Sequence, residues 1–278
     1  MTDTLGEGAT LAGRYKIDTL FATGDFSLVY LAHDLRFADP GKLVILKGRI
    51  VTSSDATMRD MEIRNFEREA DLLATLTHPA IPRIYDFFRE SNQSYVVMEF
   101  IQGKDLSTIL GESDGFLPEQ DVARWAIEVC DALQYLHSHR PQVIIHRDIK
   151  PQHMILDPAG RTHLVGFSIA RIYQPGQKGT AVGTSAYAAP EQYRGEVSPR
   201  SDIYALGATL YHLLTKQIPS YGHPLADSEQ PIKRLNPEVS ITMQTIVRKA
   251  MDPNPDGRFE TANEMKLALI GLGIDGSE

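Results

Sequence analysis

The segment HLVGFSIAR (163–171) runs apolar residues into Gly166-Phe167-Ser168 and out into a charged, glycine-rich stretch. Just upstream lies HRDIKPQHMIL (146–156), which carries His146, Arg147, Asp148, Lys150 and His153 in one short run. A strand that ends beside a His-Arg-Asp turn is a place where an acid could do chemistry. Here the strand tip is Gly166, which has no side chain with which to bind anything. Whether that glycine is an ordinary turn residue or a missing functional group depends on the elements around it. The single cysteine, Cys130, excludes an internal disulfide and fits a reducing compartment. It sits in a helical pattern and reads as a buried packing residue, not a reactive thiol.

The positioning elements fall into two groups. From Arg14 to Phe100 the signals are mostly strands: YKIDTLF, SLVYLAHD and KLVILKGRI are short and β-branched or aromatic, with turn residues between them. One helix interrupts them, from about Thr57 to Leu76, with Phe66, Ala70, Leu73 and Leu76 at helical spacing and His78-Pro79 as its stop. IPRIYDFFRE and QSYVVMEF then read as a strand pair. After IQGKDL the pattern turns helical. PEQDVARWAIEVCDALQYLHSH places Val122, Trp125, Val129, Leu133 and Leu136 on one face. Further helices are expected at 198–215, at 240–251 and in TANEMKLALIGLG. The parse is a flexible N-terminus at 1–13, a β-rich lobe at 14–98, a connector at 99–104, a helical lobe at 105–270 and a polar tail at 271–278.

Composition bounds the function. The chain has 278 residues and a formal net charge of −8, with no basic block, which argues against a general nucleic-acid binder. No apolar run is long enough to span a bilayer, and MTDTLGEGATLAG lacks the basic start and apolar stretch of a signal peptide. A cytoplasmic location without membrane partners is the expectation.

The chain resembles the eukaryotic-like Ser/Thr protein kinases of bacteria over about Arg14 to Ile270. The motifs ATGDFSLVY, VILK, FEREADLL, VVMEF, HRDIK, GFS, GTSAYAAPEQ, SDIYALG and PDGRF occur in the family's order. A short match of this kind is weak alone; the ordered set, on the expected strands, helices and loops, is strong. The resemblance implies an α+β, bilobal kinase fold: a small β-rich lobe with one main helix, and a larger helical lobe.

It also implies roles for residues. The family's phosphate loop has glycines at three positions; the matching residues are Ala22, Gly24 and Ser27, so only Gly24 lets backbone N–H groups approach a phosphate without a Cβ in the way. Lys47 and Glu69 match the pair that pins the α- and β-phosphates. Val29, Ile45, Met98, Glu99, Ile101 and Ile155 match the adenine surroundings, where Ile45 replaces the usual alanine and narrows the slot. Asp148 would accept the substrate hydroxyl's proton, and Lys150 would steady the γ-phosphate. His146, Phe167, Leu73, Asp202 and the ion pair Glu191–Arg258 match architectural positions. Thr184 would bond Asp148. Thr180, Thr184 and Ser185 are candidate phosphosites, with Arg147 as a phosphate receiver.

The metal positions depart from the family. Its asparagine after the His-Arg-Asp turn is His153, its metal-binding aspartate is Gly166, and its following glycine is Ser168. Mg²⁺ prefers oxygen ligands, whereas imidazole suits Zn²⁺, Cu²⁺ or Ni²⁺ better. No resident metal is therefore expected. Losing one preorganised electrostatic contact typically costs ~3–4 kcal/mol of barrier, and here both metal ligands are gone. Three functions follow. The first is a pseudokinase acting through protein partners, with no required cofactor and weak or no ATP binding. The second is a Ser/Thr kinase with an unusual site. The third is a switch that binds ATP without metal.

Overall fold

The computed structural model describes residues 4–24, 27–38, 41–49, 55–90, 93–167, 170–172, 184, 186–219 and 232–273. The chain divides into two compact units, Met1–Ile101 and Gln102–Glu278.

The N-terminal unit is a six-stranded antiparallel sheet in the order β1-β2-β3-β4-β6-β5. Its strands are β1 (Thr10–Leu11), β2 (Tyr15–Gly24), β3 (Ser27–Asp34), β4 (Lys42–Arg49), β5 (Ile84–Glu90) and β6 (Gln93–Glu99). Alternation along β4 sends Val44 and Leu46 into a core with Tyr15, Ile17, Tyr30 and Val97. Ile45 and Lys47 therefore face the other way. Register shifts between Ile17 and Thr19 and between Leu20 and Ala22 mark irregular pairing in β2. Helix α1 (Ala56–Ala74) lays Phe66 and Ala70 on Val96 of β6.

Residues 1–13 were expected to be flexible, yet the described part of that segment is held. β1 pairs with β2, Leu11 is buried, and Leu5 and Ala9 pack on the same core. The Leu5 amide donates to Tyr30 Oη at 3.2 Å. Small residues with interspersed leucines conceal such an edge strand. Next to it, Arg14 ties the sheet together, with Nη1 on Asp86 at 2.6 Å and Nε on Asp34 at 2.8 Å.

In the C-terminal unit, α3 (Glu119–Ser138) buries Val122, Trp125, Val129, Cys130, Leu133 and Leu136. Helix α4 (Pro199–Thr215) is buried at every residue from Ser201 onward, as its nearly continuous apolar sequence requires. Ser198 and Ser201 form a capping box at its start. α4 packs on α6 (Ile241–Ala250) through Gly207, where a Cβ would stand 2.7 Å from Cβ of Ala250. α7 (Ala262–Ile270) lies against α3. Two short helices escaped the sequence pattern, α2 (Leu106–Glu112), capped by Asp105, and α5 (Ile232–Leu235). The short strands β7 (Lys104–Asp105), β9 (Met154–Leu156) and β10 (Thr162–Leu164) make one sheet, and β8 (Ile144–Ile145) pairs with β11 (Arg171–Ile172). No helix among the described residues is long and apolar enough to cross a membrane.

One ion pair closes this unit from the inside. Arg258 Nη1 and Nη2 donate to the two carboxylate oxygens of Glu191 at 2.7 and 2.8 Å, and both side chains are buried. Ser201 Oγ donates to the same carboxylate at 2.7 Å, and Arg258 Nε binds the Asp252 carbonyl at 2.8 Å. Removing one partner strands the other charge in a dry interior. Arg258→Ala is therefore expected to cost about 3–5 kcal/mol in unfolding free energy, read as a lowered urea midpoint. A change below ~1 kcal/mol would mean that water reaches the pair and screens it.

Candidate phosphoryl-transfer site

The site begins with a buried carboxylate on α4. Asp202 Oδ2 accepts the His146 amide at 2.9 Å, and Oδ1 accepts the Arg147 amide at 2.8 Å. His137, at the end of α3, adds its Nε2 to Oδ2 at 2.8 Å. These bonds hold Arg147 in the left-handed region at φ 72°, which an arginine adopts only under constraint. Gln192 closes the other side by donating to the Arg147 carbonyl at 2.8 Å. His137 and Gln192 carried no spacing signal in the sequence; only the fold brings them here.

The turn then orders the next residues. His146 is fully buried, and burial holds its pKa below the ordinary value against the pull of Asp202 and Asp148. The ring is neutral: Nε2–H donates to the Val165 carbonyl at 2.9 Å, and Nδ1 accepts the Asp148 amide at 3.3 Å. Phe167 packs edge-on against it, with ring centroids 4.6 Å apart. Leu73 is buried on α1 in the other unit.

Asp148, Lys150 and Thr184 form a closed triangle. Lys150 Nζ lies 3.0 Å from Asp148 Oδ2 and donates to Thr184 Oγ1 at 2.7 Å, while that hydroxyl donates to Asp148 Oδ1 at 2.7 Å. Burial pushes the Asp148 pKa up, but the His153 ring, the Thr184 hydroxyl and Lys150 together outweigh it and hold the carboxyl below its usual range. The carboxylate is thus ionised and aimed at a hydroxyl, as a proton acceptor must be.

His153 ends a 3-10 turn at Pro151–His153. Its Nδ1 donates to the Asp148 carbonyl at 2.7 Å and lies 3.4 Å from Asp148 Oδ2. Burial lowers its pKa to about 4, against the pull of Asp148, so the ring is neutral at pH 7. Gly166 sits beneath it at φ 84°. A Cβ built on Gly166 would clash with the His153 imidazole, against Nδ1, Cγ and Cε1. The two departures from the family are one arrangement: the imidazole fills the volume that a side chain at 166 would occupy.

That arrangement does not fit Mg²⁺. Gly166 offers no side-chain oxygen, and the His153 nitrogen nearest Asp148 is committed to a carbonyl. Among the described residues no group of three or more His, Cys, Asp or Glu side chains could hold a metal ion. Asp157 does not supply the missing acid. Its carboxylate accepts from the Ala159 and Arg161 amides and from His163 Nε2 at 2.8 to 3.0 Å, which commits it to its own hairpin.

In the N-terminal unit the register places Val29 opposite Lys47, and Ile45 opposite Met98, all on the face away from the main core. Lys47 is buried, with its ammonium 5.8 Å from the Phe66 ring centroid. Gly24 pairs with Ser27, and Ala22 with Val29. Glu99 ends β6, its amide on the Arg83 carbonyl at 2.8 Å, and Ile101 ends the unit. Ile155 lies in β9 of the other unit, half-buried between Asp105 and His163. The Glu69 side chain lies outside the described residues, as do Ser168, Thr180 and Ser185.

A curled antiparallel sheet, a separate helical unit and an Asp–Lys–Thr triangle over a His-Arg-Asp turn define the protein-kinase class. The chain belongs to the protein kinase domain family, whose match covers residues 15–267. It is 34% identical over 278 residues to the serine/threonine-protein kinase PknB of Mycolicibacterium smegmatis, covering 94% of this chain and 43% of that one. It is 32% identical over 274 residues to PrkC of Bacillus subtilis, covering 94% and 41%. The chain thus spans less than half the length of these relatives. A crystal structure of the Mycobacterium tuberculosis PknI kinase domain, a point mutant, matches with a TM-score of 0.73 at 26% identity, covering 98% of this chain and 100% of that one.

The interlock of residues 153 and 166 can be measured. Gly166→Asp alone is expected to lower thermal stability sharply, since it meets both the imidazole and a positive φ. Adding His153→Asn should restore most of the loss, giving a coupling of at least ~2 kcal/mol in a double-mutant cycle. Additive effects would show that the two positions do not share this volume.

Proposed function

We propose that this chain is a pseudokinase: a protein-kinase-fold signalling protein that acts through protein partners and does not carry out Mg²⁺-dependent phosphoryl transfer. The observation that carries this reading is the His153 imidazole lying over Gly166. It takes the volume of one metal ligand of the family while replacing the other. In phosphoryl transfer the protein's task is almost entirely to position the triphosphate and neutralise its charge. A site that keeps the Asp148–Lys150–Thr184 triangle but cannot hold the cation keeps the acceptor side and loses the donor side. The architectural residues Asp202, Glu191 and Arg258 are fully engaged, which supports selection for the scaffold. Ile45 and the single loop glycine Gly24 support weakened nucleotide binding in the same direction.

A second reading, residual Ser/Thr kinase activity, is favoured by one observation. Asp148 is ionised and within hydrogen-bond reach of a hydroxyl, and the relatives bear the names of serine/threonine kinases.

Label transfer separates the two. The chain with γ-labelled ATP and Mg²⁺ or Mn²⁺ is expected to transfer no label to itself or to a basic protein. Metal-ATP should also give no stabilisation beyond that of ATP with chelator. A ligand at ~100 times its Kd would stabilise by about 2.7 kcal/mol, so such an increment is easily seen. The triple variant Gly166→Asp, Ser168→Gly, His153→Asn should gain the metal-dependent increment. Transfer by the unaltered chain that Lys47→Ala abolishes would overturn the pseudokinase reading.

A further inference from the structure

A cavity of about 380 Å³ lies within the C-terminal unit, between α2 and the end of α4. Ser107, Leu110 and Gly111 line it from α2, and His212 and Lys216 from α4 and its cap. Its polar side chains all have a hydrogen to give. His212 is only 9% exposed, and Tyr187 Oη lies 2.7 Å from its Nδ1. Burial pushes the Tyr187 pKa up to about 12, so the phenol keeps its proton. Among the described residues that buried O–H has only Nδ1 to donate to. Burial also holds the His212 pKa below its ordinary value, so the ring is neutral and its proton sits on Nε2. Nε2 has no hydrogen-bond partner among the described residues and is not shut off from solvent. Ser107 Oγ accepts from Gln152 Nε2 at 3.1 Å, which leaves the hydroxyl hydrogen to donate. Lys216 Nζ donates to the Ser113 carbonyl and keeps two further hydrogens. No carboxylate among the described residues pairs with that ammonium. The acids at the two ends of α2 are engaged elsewhere: Asp105 takes the Thr108 amide and hydroxyl at 3.0 and 2.7 Å, and Glu112 pairs with Lys104 at 2.7 Å.

We propose that this cavity is a docking site for an acidic segment of a protein partner, taking a glutamate side chain on His212, Lys216 and Ser107. The inference rests on the reading above that the chain acts through protein partners, and it names the chemistry of one. A carboxylate carries one charge and accepts several hydrogen bonds, which matches one ammonium beside two neutral donors. A phosphate dianion would call for more cations than the lining holds. Leu110 offers an apolar wall to the methylenes of glutamate, and the volume leaves room for the backbone that carries it. At the rim, a Cβ built on Gly111 would meet nothing within 4 Å, so a chain can pass there. Closing the end of α4 explains Lys216 in part, since a cation suits a helix C-terminus. It does not explain a lysine at φ 58°, where glycine is cheaper, nor the unpaired Nε2–H beside it. With a net charge of −8 the chain repels acidic peptides in general, so their binding requires a local site.

The test is fluorescence anisotropy of labelled peptides with the whole 278-residue chain at low salt. One peptide alternates glutamate and alanine; its controls carry glutamine or lysine in place of glutamate. The glutamate peptide is expected to bind about tenfold or more tighter than either control, with a preference that shrinks as salt rises. Lys216→Gly should remove that preference while the melting temperature stays within about 4 °C, because relief of the positive φ offsets the lost bond to Ser113. Gly111→Glu serves independently: its carboxylate enters open space at the rim and should exclude the peptide without disturbing the fold. Equal binding of the three peptides, tighter binding of the lysine peptide, or a preference that survives both variants would each overturn the inference. So would a site that inorganic phosphate fills and the glutamate peptide does not. The peptides contain no Ser, Thr or Tyr, so their binding cannot be phosphoacceptor recognition. Failure here therefore leaves the pseudokinase reading standing, and label transfer decides that reading separately.

Discussion

A buried carboxylate on α4 organises the helical unit. Asp202 is wholly excluded from solvent, and a desolvated carboxylate is tolerable only when hydrogen-bonded on both oxygens. Two consecutive backbone amides, of His146 and Arg147, and the His137 ring supply those bonds. Everything that follows in the site depends on this constraint. It fixes the strained arginine, which turns the chain so that His146 meets Val165 and Phe167, and that in turn sets where Asp148, Lys150 and His153 emerge. The Glu191–Arg258 pair performs a similar service lower in the same unit, through a bidentate contact and the Ser201 hydroxyl.

On this rigid base, two side chains depart from the family's metal positions without altering the frame. Exchanging an acid for Gly166 opens a volume beside the turn, and a positive φ there costs glycine nothing. The His153 ring fills that volume and spends its donor on the Asp148 carbonyl, so the loop remains satisfied without an ion. Neither substitution is neutral alone: a side chain at 166 collides with the imidazole, and glycine without the ring leaves a void. The Asp148–Lys150–Thr184 triangle stands beside this arrangement and is tied to it, since the His153 amide donates to the Lys150 carbonyl at 2.9 Å and the ring lies against Asp148.

Much of this was legible in the sequence, for physical reasons. Long, strongly periodic segments such as α3 and α4 declared themselves, since burial of a helix face leaves a spacing that can be read directly. Chemistry carried by residue type was equally plain: glycine at 166 cannot ligate, whatever its surroundings. What could not be read was mutual position. His153 and Gly166 appear in the sequence as two separate losses, and only three dimensions make them one arrangement. His137 and Gln192 lie far along the chain from the backbone groups they bind, so no pattern marked them. The edge strand β1 was hidden because its pairing partner, not its own composition, holds it in place. Helix α2 was too short to show a period, and its cap, Asp105, is seen only in the fold.

The question on which the rest turns is whether a metal–nucleotide complex can sit where the His153 ring now lies. Electron paramagnetic resonance of Mn²⁺ with ATP, titrated with the chain, measures this directly. The geometry predicts that Mn²⁺ keeps the spectrum of free Mn·ATP at every protein concentration. One protein-bound Mn²⁺ per chain, appearing only with nucleotide, would contradict it.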